Sequence, residues 1–171
     1  MTTSPPTSDR PIGTLRREGS TGVVRMEDHF DTDPDDLWDA VTSPSRLARW
    51  IAEIEGDLRV CGGFVATFTS GWHGPGRVDA CERPHRLLVT MRPGCDDETT
   101  IEALIRPEGA GAWLVVEERG LPLSEYAVHG AGWQAHLEDL ATYLRDEPCT
   151  EWRQRWLELT PTYEQRAALI P

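Results

Sequence analysis

The chain has 171 residues, enough for one complete core and short for two, with an apolar content of 39% that is ordinary for a globular protein. It carries 17 basic against 29 acidic residues, a formal net charge of -12 with the acids scattered, so nucleic acid and membrane, which need a basic footprint, are not expected partners. No stretch approaches the roughly 18 to 20 apolar residues that span a bilayer, and the opening MTTSPPTSDRP has neither a basic nor an apolar leader region, so a cytoplasmic location is expected.

Residues 1–13, rich in Thr, Ser and Pro, are expected to be a disordered tail. From Leu15 to Phe30, alternation around Val24, Met26 and Asp28 predicts one long strand bent near Gly19 and Gly22. Asp33 before Pro34 reads as a helix start, with Leu37, Trp38 and Val41 at helical spacing. Ser43 and Pro44 repeat that signal and open a second short helix carrying Leu47, Trp50 and Ile51. Strands are then predicted at LRVCGG, FVATFTS, GRVDACE, RLLVTMR, TTIEALIRP and AWLVVEER, separated by Gly and Pro turns. Links this short make consecutive strands antiparallel neighbours. A long helix follows over residues 124–145, where Tyr126, Gly130, Trp133, Leu137, Leu140 and Leu144 form one apolar stripe, with Glu138 and Asp139 off it. The last stretch, residues 148–171, reads as two short helices packed on the domain, the second starting at Thr160 and Pro161.

The order of elements resembles that of a START-like helix-grip fold, which implies an α+β chain with a curved antiparallel sheet of six to seven strands wrapped around a long C-terminal helix. The helix-grip domain is expected over residues 14–147. DPDDLWDAVTSPSRLARW, then GGFVATF with GRVDACERPHRLLVTM, then RGLPLSEYAVHGAGWQAHLEDLATYL, resemble successive signatures of the family named for the activator of heat shock protein 90 ATPase. The resemblance covers roughly residues 20–146. It departs from the family pattern at Glu118, where a histidine is frequent, and at Ala112, where a threonine is frequent. The resemblance implies binding of a lipid, sterol, polyketide or other small apolar molecule, with cyclases, aromatases, hydrolases and a co-chaperone among such domains.

His129 and His136, seven apart, share a face of the long helix beside Trp133. Two ligands do not make a metal site, so no metal or cofactor is expected. His136 is placed at the pocket edge and His129 at the turn before the helix. Cys61, Cys81, Cys95 and Cys149 form no close pair and are read as reduced, mostly structural thiols. Glu118 shares a strand face with Leu114 and Val116. It is either a carboxylate at the mouth of an apolar cavity, suited to acid or base work, or a solvated group paired with Arg119 or Arg92.

Among seven tryptophans, Trp50, Trp72 and Trp133 border the gap between sheet and helix, whereas Trp152 and Trp156 are assigned to packing of the terminal segment. GWHGPG, residues 71–76, reads as a hairpin loop and not a phosphate cradle. The expected binding set is Trp50, Phe64, Phe68, Trp72, Leu114, Val116, His129, Trp133, His136 and Leu137. A carrier of a small apolar molecule, monomeric or homodimeric, is the first expectation. An enzyme on a polyketide-like or aromatic substrate, using Glu118 or His73, and a protein-binding adaptor are the alternatives.

Overall fold

Alternating apolar and polar residues, cut by glycine and proline turns, give a long antiparallel meander closed by helices. The computed structural model describes residues 13–171. The expected tail lies outside the described residues except for Gly13, which opens the first strand. In chain order the elements are β1 (Gly13–Glu18), β2 (Thr21–Phe30), α1 (Pro34–Thr42), α2 (Pro44–Leu47), β3 (Ala52–Gly56) and β4 (Gly63–Phe68). They continue with β5 (His73–Glu82), β6 (Arg86–Met91), β7 (Thr99–Glu108), β8 (Gly111–Pro122), α3 (Tyr126–Leu144) and α4 (Trp152–Ala168). The sheet has 8 strands in the order β1-β2-β8-β7-β6-β5-β4-β3. Every neighbouring pair is antiparallel. With α3 packed across one face, this is the helix-grip fold, with eight strands in place of six to seven.

The strands differ from those expected at two places, the first of which adds one. The single bent strand expected over Leu15 to Phe30 is a hairpin, because Gly19 takes the left-handed conformation (φ 61°) and reverses the chain. Leu58 to Gly62 is not a strand but a turn, closed by the Arg59 amide donating to Asp57 Oδ1 (3.0 Å) and the Gly62 amide to the Arg59 carbonyl (2.7 Å). The strand there is β3, whose Ala52 is buried against the core while Glu53 and Glu55 face away.

Local signals hold elsewhere. Asp33 caps α1 by accepting from the Asp36 amide (2.9 Å), with Pro34 in the first turn. The second helix stops at Leu47, so Trp50 and Ile51 lie in the turn after it. There the Trp50 indole donates to the Ala40 carbonyl (3.0 Å) and ties the turn to α1. The hairpin after β4 is shorter than the Gly71 to Gly76 loop expected, since β5 begins at His73. All four cysteines are free and exposed, so none is a core residue.

The terminal stretch is one helix, not two. Pro161 has no N–H for the Leu157 carbonyl, yet Leu159 and Tyr163, one turn apart across it, are both buried, and that packing carries α4 through the proline. Gly130 of α3 makes room, because a Cβ there would stand 2.6 Å from the Tyr163 ring. The Tyr163 hydroxyl donates to Gln134 Oε1 (2.7 Å), and Arg155 forks onto Glu138 (2.7 and 3.0 Å). The side of α3 that carries Asp139 is therefore covered, not solvent-facing. Leu159→Ala, at a site 3% exposed, is expected to lower stability by about 2–4 kcal/mol in urea denaturation. Leu157→Ala, 56% exposed on the same helix, should change it by less than about 0.5 kcal/mol. Equal effects would mean that α4 is not held by its buried side.

Candidate functional site

Strand alternation builds the inner wall. On β8, Leu114, Val116 and Glu118 point toward α3, while Glu117 between them faces the other side. Gly120 is an extra residue in the β2–β8 pairing, with Arg119 opposite Val23 and Leu121 opposite Gly22. The bulge returns Leu121 to the inner face just beyond Glu118.

Two neighbouring chambers lie between this wall and the helices. The inner one, about 150 Å³, is lined almost wholly by apolar groups, including Trp50, Phe64, Leu114 and Val116. The outer one, about 380 Å³, carries Trp72, His129 and His136 together with Glu118. Phe68, Met91, Ile101 and Trp133 line both chambers and stand between them. Two expected residues fall elsewhere. Leu137 is fully buried in the core and borders neither chamber. His73 is exposed, bonded to Thr67 Oγ1 (2.9 Å), because alternation along β5 turns Gly74 and Gly76 inward and His73 outward. It is not positioned as an acid or base for the cavity.

Glu118 is the polar centre of the outer chamber and is only 6% exposed. Its Oε2 accepts from Trp133 Nε1 (2.7 Å) and lies 3.3 Å from His129 Nδ1, and its Oε1 accepts from Thr99 Oγ1 (3.2 Å). Neither arginine considered from sequence reaches it. Arg119 bonds Glu117 (2.7 Å) and Glu102 (3.5 Å), and Arg92 bonds Asp97 (2.7 Å). His129 lies in the first turn of α3, not before it. Burial is the largest influence on His129 and favours the neutral ring, but the Glu118 hydrogen bond with the charges of Glu118 and Glu125 outweighs it. The His129 pKa therefore rises.

His136 behaves in the opposite way. It is 5% exposed, stacked on Trp152 (4.9 Å between centroids) and edge-on to Trp133. Burial holds its pKa down at about 3, only partly opposed by a hydrogen bond to the Trp50 backbone.

Arg92, Thr99, Trp152 and Trp156 are among the wall residues not assigned to the site from sequence. The two tryptophans do pack α4 on α3, donating to the Gly132 carbonyl (3.3 Å) and the Val128 carbonyl (3.0 Å). Their stacked rings (5.8 Å) also form a side of the outer chamber. Their spacing of four was the available signal. Among the described residues, no group of three or more His, Cys, Asp or Glu side chains could hold a metal ion, and no helix is long and apolar enough to cross a membrane.

The two histidines should titrate on opposite sides of the ordinary value of 6.5. His136 refuses a proton that the unfolded chain accepts, so its contribution to stability is full above 6.5 and lost as pH falls toward about 3. The contribution of His129 is full below 6.5 and lost as pH rises through its raised folded pKa. Imidazole NMR across this range should show His129 titrating above 6.5 and His136 neutral through pH 5. A His136 midpoint near 6.5 would show that water reaches the ring.

Residues 31–145, more than half of the chain, match the sequence model of the family described as activator of Hsp90 ATPase homolog 1-like protein. Among solved structures, CalU16 from Micromonospora echinospora is 24% identical with a TM-score of 0.77, over 91% of this chain and 96% of that one. EF2215, a conserved protein from Enterococcus faecalis, is 20% identical with a TM-score of 0.70, over 90% of this chain and 91% of that one. DynU16, a protein in the dynemicin biosynthetic locus, is 28% identical with a TM-score of 0.68, over 77% of this chain and 51% of that one. This chain thus spans about half the length of DynU16. No curated protein matches. The chain belongs to the family of activator of Hsp90 ATPase homolog 1-like proteins.

Proposed function

We propose that the protein binds a small apolar molecule in the two-chambered cavity, as a cytoplasmic monomer or homodimer. The observation that carries this reading is the pair of neighbouring chambers, about 150 and 380 Å³, on the two sides of Trp133, the smaller one lined almost wholly by apolar groups. Their size suits a small organic ligand, and an apolar inner end behind a mouth with a few polar groups is the usual plan of such sites. Membership of a START-like family supports the reading, as does likeness to a protein encoded in a biosynthetic locus. In this reading Trp50, Phe64, Phe68, Leu114 and Val116 take the apolar body of the ligand. Trp72, His129, Trp133 and His136 meet its outer part.

Proton transfer to or from the bound molecule is a second reading, favoured by the Glu118–His129 pair. A buried carboxylate beside an imidazole at 3.3 Å is an arrangement that can hold and move a proton. In this reading turnover follows the ionisation of His129.

Titration of the protein with a fatty acid, a sterol and a polycyclic aromatic should give a saturable change in tryptophan emission for at least one of them. Burial of apolar surface should make the heat-capacity change of binding negative. Trp133→Phe should remove most of the emission change, and it also deletes the indole donor to Glu118. Absence of any saturable signal and of any thermal shift across the panel would count against a ligand cavity.

A further inference from the structure

Among the described residues, two buried side-chain nitrogens lack a hydrogen-bond partner, His136 Nδ1 and Arg92 Nε. Both residues line the outer chamber. Buried polar atoms without a partner are rare, because each forfeits the hydrogen bonds that water would give it. The two sit in residues of one cavity wall, on α3 and just after β6, but neither atom is open to a water-sized group, so a ligand that brings complementary groups reaches them by displacing a neighbouring side chain.

A neutral His136 ring that donates from its other nitrogen toward the Trp50 backbone presents Nδ1 as an acceptor. Arg92 Nε carries a hydrogen and can only donate. Its Nη1 is occupied by Asp97 (2.7 Å), and its guanidinium lies over the Trp72 ring (5.3 Å), which hold it at the chamber wall. Glu118 is already met by Trp133, Thr99 and His129 and demands no further donor. A fatty acid carboxylate would have no hydrogen for His136.

The wall also selects for shape. His136, Trp152 and Trp156 form a run of stacked rings, faced by Trp133 and Phe68 edge-on or tilted. Flat aromatic surfaces favour a flat aromatic guest through offset or edge contacts. Resting on the small-molecule reading above, we propose that the outer chamber recognises a planar aromatic ligand carrying a phenolic hydroxyl and a carbonyl. The hydroxyl donates to His136 Nδ1 and the carbonyl oxygen accepts from Arg92 Nε.

A series of three planar compounds tests this on the full chain: fluorene, 9-fluorenone and 2-hydroxy-9-fluorenone. Each added group should tighten binding by about fivefold or more, since a buried unsatisfied atom gains a partner. His136→Phe, which keeps a ring against Trp152, should erase the gain from the hydroxyl and keep the gain from the carbonyl. Arg92→Lys, which keeps the charge but has no Nε–H, should do the reverse. Should His136→Phe fail to fold, the wild-type series and Arg92→Lys still decide. Equal affinities of the three compounds for the wild-type protein would overturn the two-point recognition while leaving the cavity a binding site. A hydroxyl gain that survives in His136→Phe would overturn the assignment to that ring. No binding of any of the three would remove both the recognition and the small-molecule reading on which it rests.

Discussion

The carboxylate of Glu118 accepts from Trp133 on α3 and from Thr99 on β7, and stands against His129 on α3. A carboxylate at this depth is strongly unfavourable without such partners, and removing one leaves a buried charge uncompensated. Satisfying it sets the position of α3 over the sheet, because both its indole and its imidazole partner come from that helix. The residue beside it on the same strand has the same problem with a different solution. Glu117, on the outer face, is surrounded by Arg16 (2.6 Å), Arg119 (2.7 Å) and Arg25 (3.5 Å). Consecutive carboxylates on one strand are kept apart by the sheet itself, one in a net of guanidinium groups and one in an aromatic cavity.

Space inside that frame comes from small residues. Ala66 and Ala103 line the inner chamber, and Gly76 lies beneath the Phe64 ring, where a Cβ would stand 2.3 Å from the ring carbons. Larger residues at these positions would fill the chamber or push Phe64 into it. At the other end α4 supplies Trp152 and Trp156, so the outer chamber has a sheet on one side, α3 on another and the terminal helix as its rim.

Much of the architecture was readable because it is locally encoded. The Asp33–Pro34 cap, the glycine and proline turns and the apolar stripe of α3 all act within a few residues. What was misread depends on partners distant in sequence. The short strand β3 exists because β4 pairs with it, and α4 runs through Pro161 because Leu159 and Tyr163 are buried against α3 and β1. In the site, alternation on β8 placed Glu118 beside Leu114 and Val116, but the partners of Glu118 sit on two other elements, and no local pattern names them. His73 was misassigned once β5 was started three residues late, which hid the alternation that turns it outward. Leu137 lies on the stripe of α3 but deep in the core, since the stripe is wider than the part that borders a chamber.

The span shared with the family ends at residue 145, whereas the ring stack that rims the outer chamber runs from His136 to Trp156. One part of the rim, Trp152 and Trp156, is therefore written outside the stretch that carries the frame. Substitutions at residues 152–156 change the rim directly and reach the Glu118 network only through the His136 and Trp133 rings. A lineage can thus change the rim of this chamber while keeping the span that sets the fold.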